Sequence, residues 1–159
     1  MNIISDATEM MALVPAKHIL CGIDLGTKTI GLSVSDTEFT IASPLQTIKR
    51  QKFIDDAQAL AAIITDHRIA GLLIGLPLNM DGSEGPRVQA TRAFIRNLSR
   101  SEIMPNLPVI FWDERLSTVA VTRTLIDADT TRAKRAEVVD KMAAAFILQG
   151  FLDFLGHHQ

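Results

Sequence analysis

The sequence predicts an α/β domain with a mixed five-stranded sheet, three antiparallel strands followed by two parallel ones, covered by helices. Two observations support this fold class. Three apolar segments typical of strands follow one another closely near the start of the chain, which predicts an antiparallel meander. Farther along, strand segments alternate with segments of helical periodicity, which predicts parallel pairing with right-handed crossovers.

The meander strands are expected at residues 18–24, 30–35 and 39–48. Pro44 should place the third of them at an edge of the sheet, because proline cannot donate a ladder hydrogen bond. The two later strands are the short apolar segments 71–75 and 109–112. Apolar residues at helical spacing predict helices over the segments 52–67, 88–103, 117–126 and 131–155.

At 159 residues and 47% hydrophobic content, the chain has the size and composition of one folded domain. We expect the domain at residues 18–155, after a flexible N-terminal extension (1–17) and before a short tail (156–159). Cys21 lies in an apolar run, which favours an inert core residue. The sequence has no signal-peptide pattern and no apolar run near the roughly 20 residues of a membrane span. These features predict a cytoplasmic protein that does not contact membranes.

The charge of the chain gives a mixed indication about nucleic acid. A net charge of -2 argues mildly against a polyanionic partner. However, Arg92, Arg96 and Arg100 recur every four residues, which stacks them on one helix face. A second basic cluster contains Arg132, Lys134 and Arg135. For either cluster alone, a solvated helix face is the favoured interpretation.

Asp24 ends the first predicted strand and is followed by the turn residues Gly26, Thr27 and Lys28. This pattern places a carboxylate at the rim of the sheet, where open α/β sheets bind ligands. An ordinary hairpin turn is an equally good interpretation of this segment alone. The segment also resembles one in actin-like ATPases and sugar kinases, but those need two such domains, and this chain has room for one.

A glycine-rich loop of thirteen residues, 75–87, leaves a predicted strand and enters a helix. Pro86 suits the first helical turn, where free backbone N–H groups can receive an anion. Arg87 could add a charged fork for a phosphate. The loop does not match a nucleotide-binding P-loop. A connection of this length in a small domain is more often functional than idle.

The acidic pair Asp113 and Glu114 directly follows the strand 109–112. Neighbouring residues of a strand point to opposite faces, so only one of the two can reach a site shared with Asp24. Ser117 or Thr118 can cap the next helix. Capping does not explain the acidic pair, which favours a functional role for one of its members.

Asp140 begins a helical stripe that is otherwise apolar, with Ala144, Ile147, Phe151 and Phe154. A carboxylate on a packing face is costly unless it is paired or binds a metal. A salt bridge, for example to Arg115, is the alternative.

Taken together, three acids can converge on one edge of the sheet. Carboxylate oxygens suit Mg²⁺ or Mn²⁺, and such a cluster can organise attack of water on a phosphodiester.

These motifs resemble the YqgF family of RNase H-like proteins, described as nucleases of pre-16S rRNA and as homologues of Holliday-junction resolvases. The matching segments are 22–28, 75–82, 112–118 and 140–144, and the resemblance extends from about residue 20 to 153. It implies an RNase H-like fold and divalent Mg²⁺ or Mn²⁺ held by Asp24, Glu114 and Asp140. It also implies a role in trimming pre-16S rRNA during ribosome biogenesis, on precursor particles or free RNA.

The resemblance thus selects Glu114 over Asp113. We further expect polar and basic residues of the same motifs to contact the substrate: Thr27, Lys28, Asn79, Arg87, Arg115 and Lys141. Two alternatives remain open. One is a resolvase of branched DNA, for which a two-fold junction would favour a homodimer. The other is a non-catalytic nucleic-acid-binding module, which the presence of all three acids disfavours.

Overall fold

The computed structural model describes residues 1–116 and 132–157. The strands are β1 (Asn2–Ile4), β2 (Ile19–Leu25), β3 (Thr29–Ser35), β4 (Ala42–Lys49), β5 (Ile69–Leu76) and β6 (Pro108–Asp113). The described helices are α1 (Ala7–Leu13), α2 (Phe53–Asp66), α3 (Pro86–Arg100) and α4 (Arg132–His157). The helix predicted at 117–126 lies outside the described residues, as do Ser117 and Thr118.

The strands form one sheet in the order β1-β6-β5-β2-β3-β4. Strands β2, β3 and β4 pair antiparallel, and β5 pairs in parallel with both β2 and β6. The predicted meander and the two parallel strands are therefore confirmed. Strand β4 is an edge strand, as Pro44 indicated, and Pro44 lies at a register shift opposite Ser33.

The sheet has six strands rather than five, because the N-terminal segment adds β1 in parallel to β6. Residues 1–17 thus differ from the flexible extension that we expected. Asp6 caps α1 by accepting a 2.9 Å hydrogen bond from the Thr8 N–H, and Met10 is fully buried. A three-residue strand shows no alternation that a sequence pattern can reveal, which explains why the sequence predicted five strands rather than six.

Two layers of helix cover the sheet. Helices α2 and α3 pack against one face, through a core that includes Cys21, Ile23 and Ile74. Helix α4 and the shorter α1 cover the other face, through a second core that includes Leu73 and Phe151. Cys21 is 1% exposed, which confirms it as a core residue, and this burial raises the pKa of its thiol to about 12.

Helix α4 ends at His157, two residues beyond the predicted boundary. Its predicted apolar stripe packs on the sheet, since Ala144, Ile147 and Phe151 are fully buried, whereas Phe154 remains 37% exposed. None of the four described helices is long and apolar enough to cross a membrane.

Candidate active site

Asp24 is the last residue but one of β2, and it is 2% exposed. Its side chain lies on the α4 face of the sheet, because Gly22, two residues earlier, faces Ala144 and Leu148 of α4. On one side its backbone partner is Gly31 of β3. On the other side it lies next to Gly75 of β5, one position beyond the Ile23–Ile74 pair. Asp24 is therefore flanked by two glycines, each about one strand spacing (~4.8 Å) away.

Asp140 lies over the first of these glycines. A Cβ atom at Gly31 would overlap the main chain of Asp140 and come within 2.7 Å of Lys141 N. The missing side chain at Gly31 thus lets the start of α4 rest on the sheet next to Asp24. The Asp140 carboxylate accepts a hydrogen bond from the Thr29 hydroxyl, and its Oδ2 would lie 3.1 Å from a Cβ at Gly26.

Glu114 lies over the second glycine. Strand β6 ends at Asp113, and the chain continues as a 3-10 turn, Glu114–Leu116. A Cβ atom at Gly75 would come within 2.8 Å of Glu114 Oε1. Since Gly75 is the neighbour of Asp24, the Glu114 carboxylate approaches Asp24 from the side opposite to Asp140.

Asp113 has a different environment from Glu114. Its carboxylate accepts hydrogen bonds from Arg115 Nε at 3.0 Å and from Arg115 Nη2 at 2.7 Å. The hydrogen bond from the Arg115 side chain lowers the pKa of Asp113. Arg115 also donates to the Met80 carbonyl oxygen at 3.2 Å. Asp113 thus fixes Arg115 and the glycine-rich loop, and the alternative pair of Asp140 with Arg115 is not what the described residues show.

The three predicted acids therefore surround one point on the α4 face, at the carboxyl end of β2. As they lie in the structure, however, no group of three acidic, histidine or cysteine side chains among the described residues is arranged so that it could hold a metal ion. Mg²⁺ seldom uses a cage of protein ligands alone, since it commonly binds one or two carboxylates together with waters and substrate phosphate oxygens. The carboxylate oxygens of Asp24, Glu114 and Asp140 are donors of the kind that a hard divalent cation prefers.

The predicted substrate-binding residues differ in their exposure and in their hydrogen bonds. Thr27 and Lys28 are exposed in the turn that follows Asp24, and Lys141 is half-buried beside Asp140. Arg87 donates to the Leu25 carbonyl oxygen at 3.2 Å. Asn79 instead bonds within its own loop, to the Ser83 hydroxyl at 3.0 Å.

The glycine-rich loop is organised by its own hydrogen bonds. The Asn79 N–H donates to the Ser83 carbonyl oxygen at 3.0 Å, and the Gly82 N–H donates back to the Asn79 carbonyl oxygen at 2.8 Å. Gly82 has a φ of 86°, a conformation that favours glycine. The Ser83 hydroxyl donates to Asp81 and lowers the pKa of that carboxyl.

Sequence reasoning missed two residues that position the site. Thr29 holds the Asp140 carboxylate. Arg50 donates to the Gly26 carbonyl oxygen at 2.8 Å, and its guanidinium packs 5.3 Å from the centre of the Phe94 ring. Arg50 thereby fixes the turn after Asp24. The sequence signal for both was weak, because each belongs to a strand or strand end with no distinguishing motif.

Comparison with known proteins gives a consistent result. The model of a family described as "RuvX: Holliday junction resolvase" matches residues 18–154. A relative from Roseobacter denitrificans, named "Putative pre-16S rRNA nuclease", is 57% identical over 151 residues, 95% of this chain and 92% of its own. A relative with the same name from Methylocella silvestris is 59% identical over 152 residues, 96% of this chain and 92% of its own.

Among solved structures, RuvC of T. thermophilus in complex with Holliday junction substrate aligns with a TM-score of 0.51. The alignment covers 87% of this chain and 96% of that chain at 15% sequence identity. This likeness concerns the fold, and it confirms the RNase H-like fold that the sequence predicted.

Proposed function

The chain belongs to the RuvX family, and on this premise we propose that it cuts structured nucleic acid with the help of Mg²⁺ or Mn²⁺. Family membership and the shared name of its relatives make it a nuclease. The metal requirement and the identity of the substrate belong to the proposal.

One observation supports the proposed chemistry above all others. Asp24 is flanked on its own sheet face by Gly31 and Gly75, and Asp140 and Glu114 lie over these two glycines. Glycine at both positions leaves room for two more acidic residues beside a buried carboxylate. A purely structural role would not require three acids in one place, because buried carboxylates are costly without a compensating charge.

In this proposal Asp24, Glu114 and Asp140 hold the divalent metal. When bound, the metal would activate a water and stabilise charge on the phosphate oxygens. The Thr29 hydroxyl orients the Asp140 carboxylate. In this proposal Lys28, Arg87 and Arg115 contact the phosphates on either side of the cleaved bond.

We propose pre-16S rRNA as the physiological substrate and the cytoplasm as the compartment. The names of the relatives support the RNA, and processing of a ribosomal precursor fits a cytoplasmic enzyme. The second candidate is a four-way DNA junction, which the description of the family favours. A two-fold junction would require two active sites and therefore a homodimer.

Cleavage of precursor 16S rRNA and of a four-way DNA junction should be measured side by side with Mg²⁺, Mn²⁺ and a chelator. We expect metal-dependent cleavage of the rRNA near its mature 5′ end and weaker cleavage of the junction. Selective resolution of the junction by a dimer would replace the first candidate with the second. Equal cleavage in the presence of the chelator would refute the role of the metal.

The Asp24→Ala variant tests the catalytic centre. It should abolish cleavage and leave the circular dichroism spectrum unchanged. Asp153→Asn is a matched control, because Asp153 is an exposed acid on α4, the same helix as Asp140. Undiminished metal-dependent cleavage by Asp24→Ala would refute the assignment.

A further inference from the structure

Helix α3 contains four arginines and no acidic residue over Pro86–Arg100. This is unusual in a chain whose net charge is -2. Arg92, Arg96 and Arg100 recur at intervals of four residues and so lie on one helix face, about 6 Å apart along the axis. Three of the sixteen Lys and Arg residues of the chain thus lie on one side of α3.

This arginine face forms one wall of a groove between α3 and β1. The groove has a volume of about 290 Å³ and is lined by Ile3, Arg92, Arg96, Ser99, Arg100 and Phe111. Ile3 is 53% exposed, and Phe111 of β6 is half-buried. The Arg92 guanidinium lies 4.9 Å from the centre of the Phe111 ring. The groove therefore combines an apolar floor with a cationic wall, and none of the described residues that line it is acidic.

The charges of the groove are only partly neutralised. Arg92 forms an ion pair with Glu84. Within the part of the chain that the structure describes, Arg96 and Arg100 have no acidic partner, and both are exposed. Two unneutralised guanidinium groups beside exposed apolar side chains form a surface suited to an anionic ligand that also has flat apolar parts.

The groove is connected to the candidate active site through the glycine-rich loop. That loop starts at Gly75, against which Glu114 lies, and it is joined to Arg115 through the Met80 carbonyl oxygen. Glu84, near its other end, contacts Arg92 at the start of the groove. A chain leaving the active site over this loop would reach the arginines in the order 92, 96, 100.

We propose that the groove between α3 and β1 binds an unpaired strand of the nucleic-acid substrate that continues from the active site over the glycine-rich loop to the α3 face of the sheet. Arg96 and Arg100 contact phosphates, and Phe111 with Ile3 packs against bases. Single-stranded nucleic acid is typically bound by a basic groove that also offers aromatic side chains. A duplex is the poorer match, because its bases are stacked inside and would leave Phe111 and Ile3 unused. This inference rests on the proposed function, since it assumes a nucleic-acid substrate.

The test is a binding measurement with the full chain in the presence of a chelator, so that cleavage does not interfere. The probes are a fluorescent RNA hairpin with a single-stranded extension of about ten nucleotides and the same hairpin without it. For Arg96→Gln/Arg100→Gln we expect weaker binding of the extended hairpin, by about tenfold, and unchanged binding of the blunt one. The slope of log affinity against log salt should decrease by about 1.4, or ~0.7 for each lost phosphate contact.

Two control variants separate this role from a general effect of charge. Lys17→Gln/Arg68→Gln removes the same charge from exposed residues that precede β2 and β5, at the end of these strands that is opposite to Asp24. This variant should bind both probes like the wild type. Arg96→Lys/Arg100→Lys should restore most of the affinity, because it keeps the charge.

Three results would overturn the inference: equal affinity of wild type and Arg96→Gln/Arg100→Gln for the extended hairpin, equal losses for both hairpins, or an equal loss in the Lys17→Gln/Arg68→Gln control. The second of these would indicate a duplex-binding surface instead. Because binding is measured without metal, the result does not depend on whether the protein cuts RNA, and a failure of the cleavage assay is distinguishable from a failure here.

Discussion

Glu114 lies against Gly75, and the absence of a side chain at residue 75 is what allows its carboxylate to approach Asp24. A Cβ atom at this glycine would come within 2.8 Å of Glu114 Oε1 and 2.5 Å of Ile147 Cδ1. Both atoms are ends of flexible side chains and can move aside. An alanine at residue 75 should therefore be accommodated by the fold, at the expense of the Glu114 position.

We predict that Gly75→Ala lowers kcat for cleavage by about tenfold or more, while the free energy of unfolding decreases by only ~1–3 kcal/mol, as is usual for overpacking. Cleavage kinetics together with urea denaturation measure the two effects. Gly156→Ala is the control, since a Cβ at this exposed helical position has nothing within 4 Å and should leave kcat unchanged. A Gly75→Ala variant with wild-type kcat would show that Glu114 does not need its observed position.

Gly31→Ala should have a larger effect on stability than Gly75→Ala. A Cβ at residue 31 would overlap the backbone of Asp140, and backbone cannot rotate away as a side chain can. Helix α4 would have to move off the sheet, so we expect a loss of more than ~3 kcal/mol in the free energy of unfolding. Urea denaturation of both variants gives the comparison. Equal stabilities of the two would mean that α4 adapts to this contact more easily than the structure indicates.

Thr29→Val should reduce activity because it removes the hydroxyl that donates to Asp140 and keeps the shape of the side chain. Loss of a residue that orients a metal ligand typically costs about 10–100-fold in metal affinity or activity. The Mn²⁺ concentration that gives half-maximal cleavage should rise accordingly. Thr29→Ser retains the hydroxyl and should behave nearly as wild type. If serine and valine reduce activity equally, the hydrogen bond has no functional role.

The pair of Asp113 and Arg115 predicts a dependence of stability on pH. The hydrogen bond from Arg115 lowers the pKa of Asp113 below its ordinary value of 3.8. A carboxyl whose pKa is lower in the folded state stabilises the protein above its unfolded pKa, and this contribution is lost as the pH falls through the folded value. The stability difference between wild type and Asp113→Asn should therefore be constant at neutral pH and shrink below about pH 4.

Denaturation of both proteins at pH 7 and pH 3 measures this difference. We expect the difference to be small, since exposed ion pairs contribute little. A difference that grows on acidification would contradict the assigned pair.

Much of the fold could be predicted from the sequence, because β2, β3, β5 and β6 contain apolar runs at buried positions, and β4, which has no buried residue, follows β3 closely in the chain. The alternation of side chains between the two faces of a strand also predicted that only one of Asp113 and Glu114 could share a site with Asp24. The pattern could not show which one, since the choice depends on the 3-10 turn that begins at Glu114 and on the hydrogen bonds between Asp113 and Arg115.

Two features escaped prediction because they depend on tertiary contacts. Strand β1 is three residues long, too short for periodicity, and is defined by its pairing with β6. Thr29 looks like any strand threonine, and only the packing of α4 brings Asp140 to its hydroxyl.

The central claim is that Asp24, Glu114 and Asp140 form one metal-binding centre. Its most direct test is a Mn²⁺ titration, followed by the electron paramagnetic resonance signal of the free ion, on the wild type and on Asp24→Asn, Glu114→Gln and Asp140→Asn. Each of these three variants should bind Mn²⁺ at least about tenfold more weakly than the wild type, and the control Asp153→Asn should bind it equally well. Wild-type Mn²⁺ affinity in any of the three would contradict the claim.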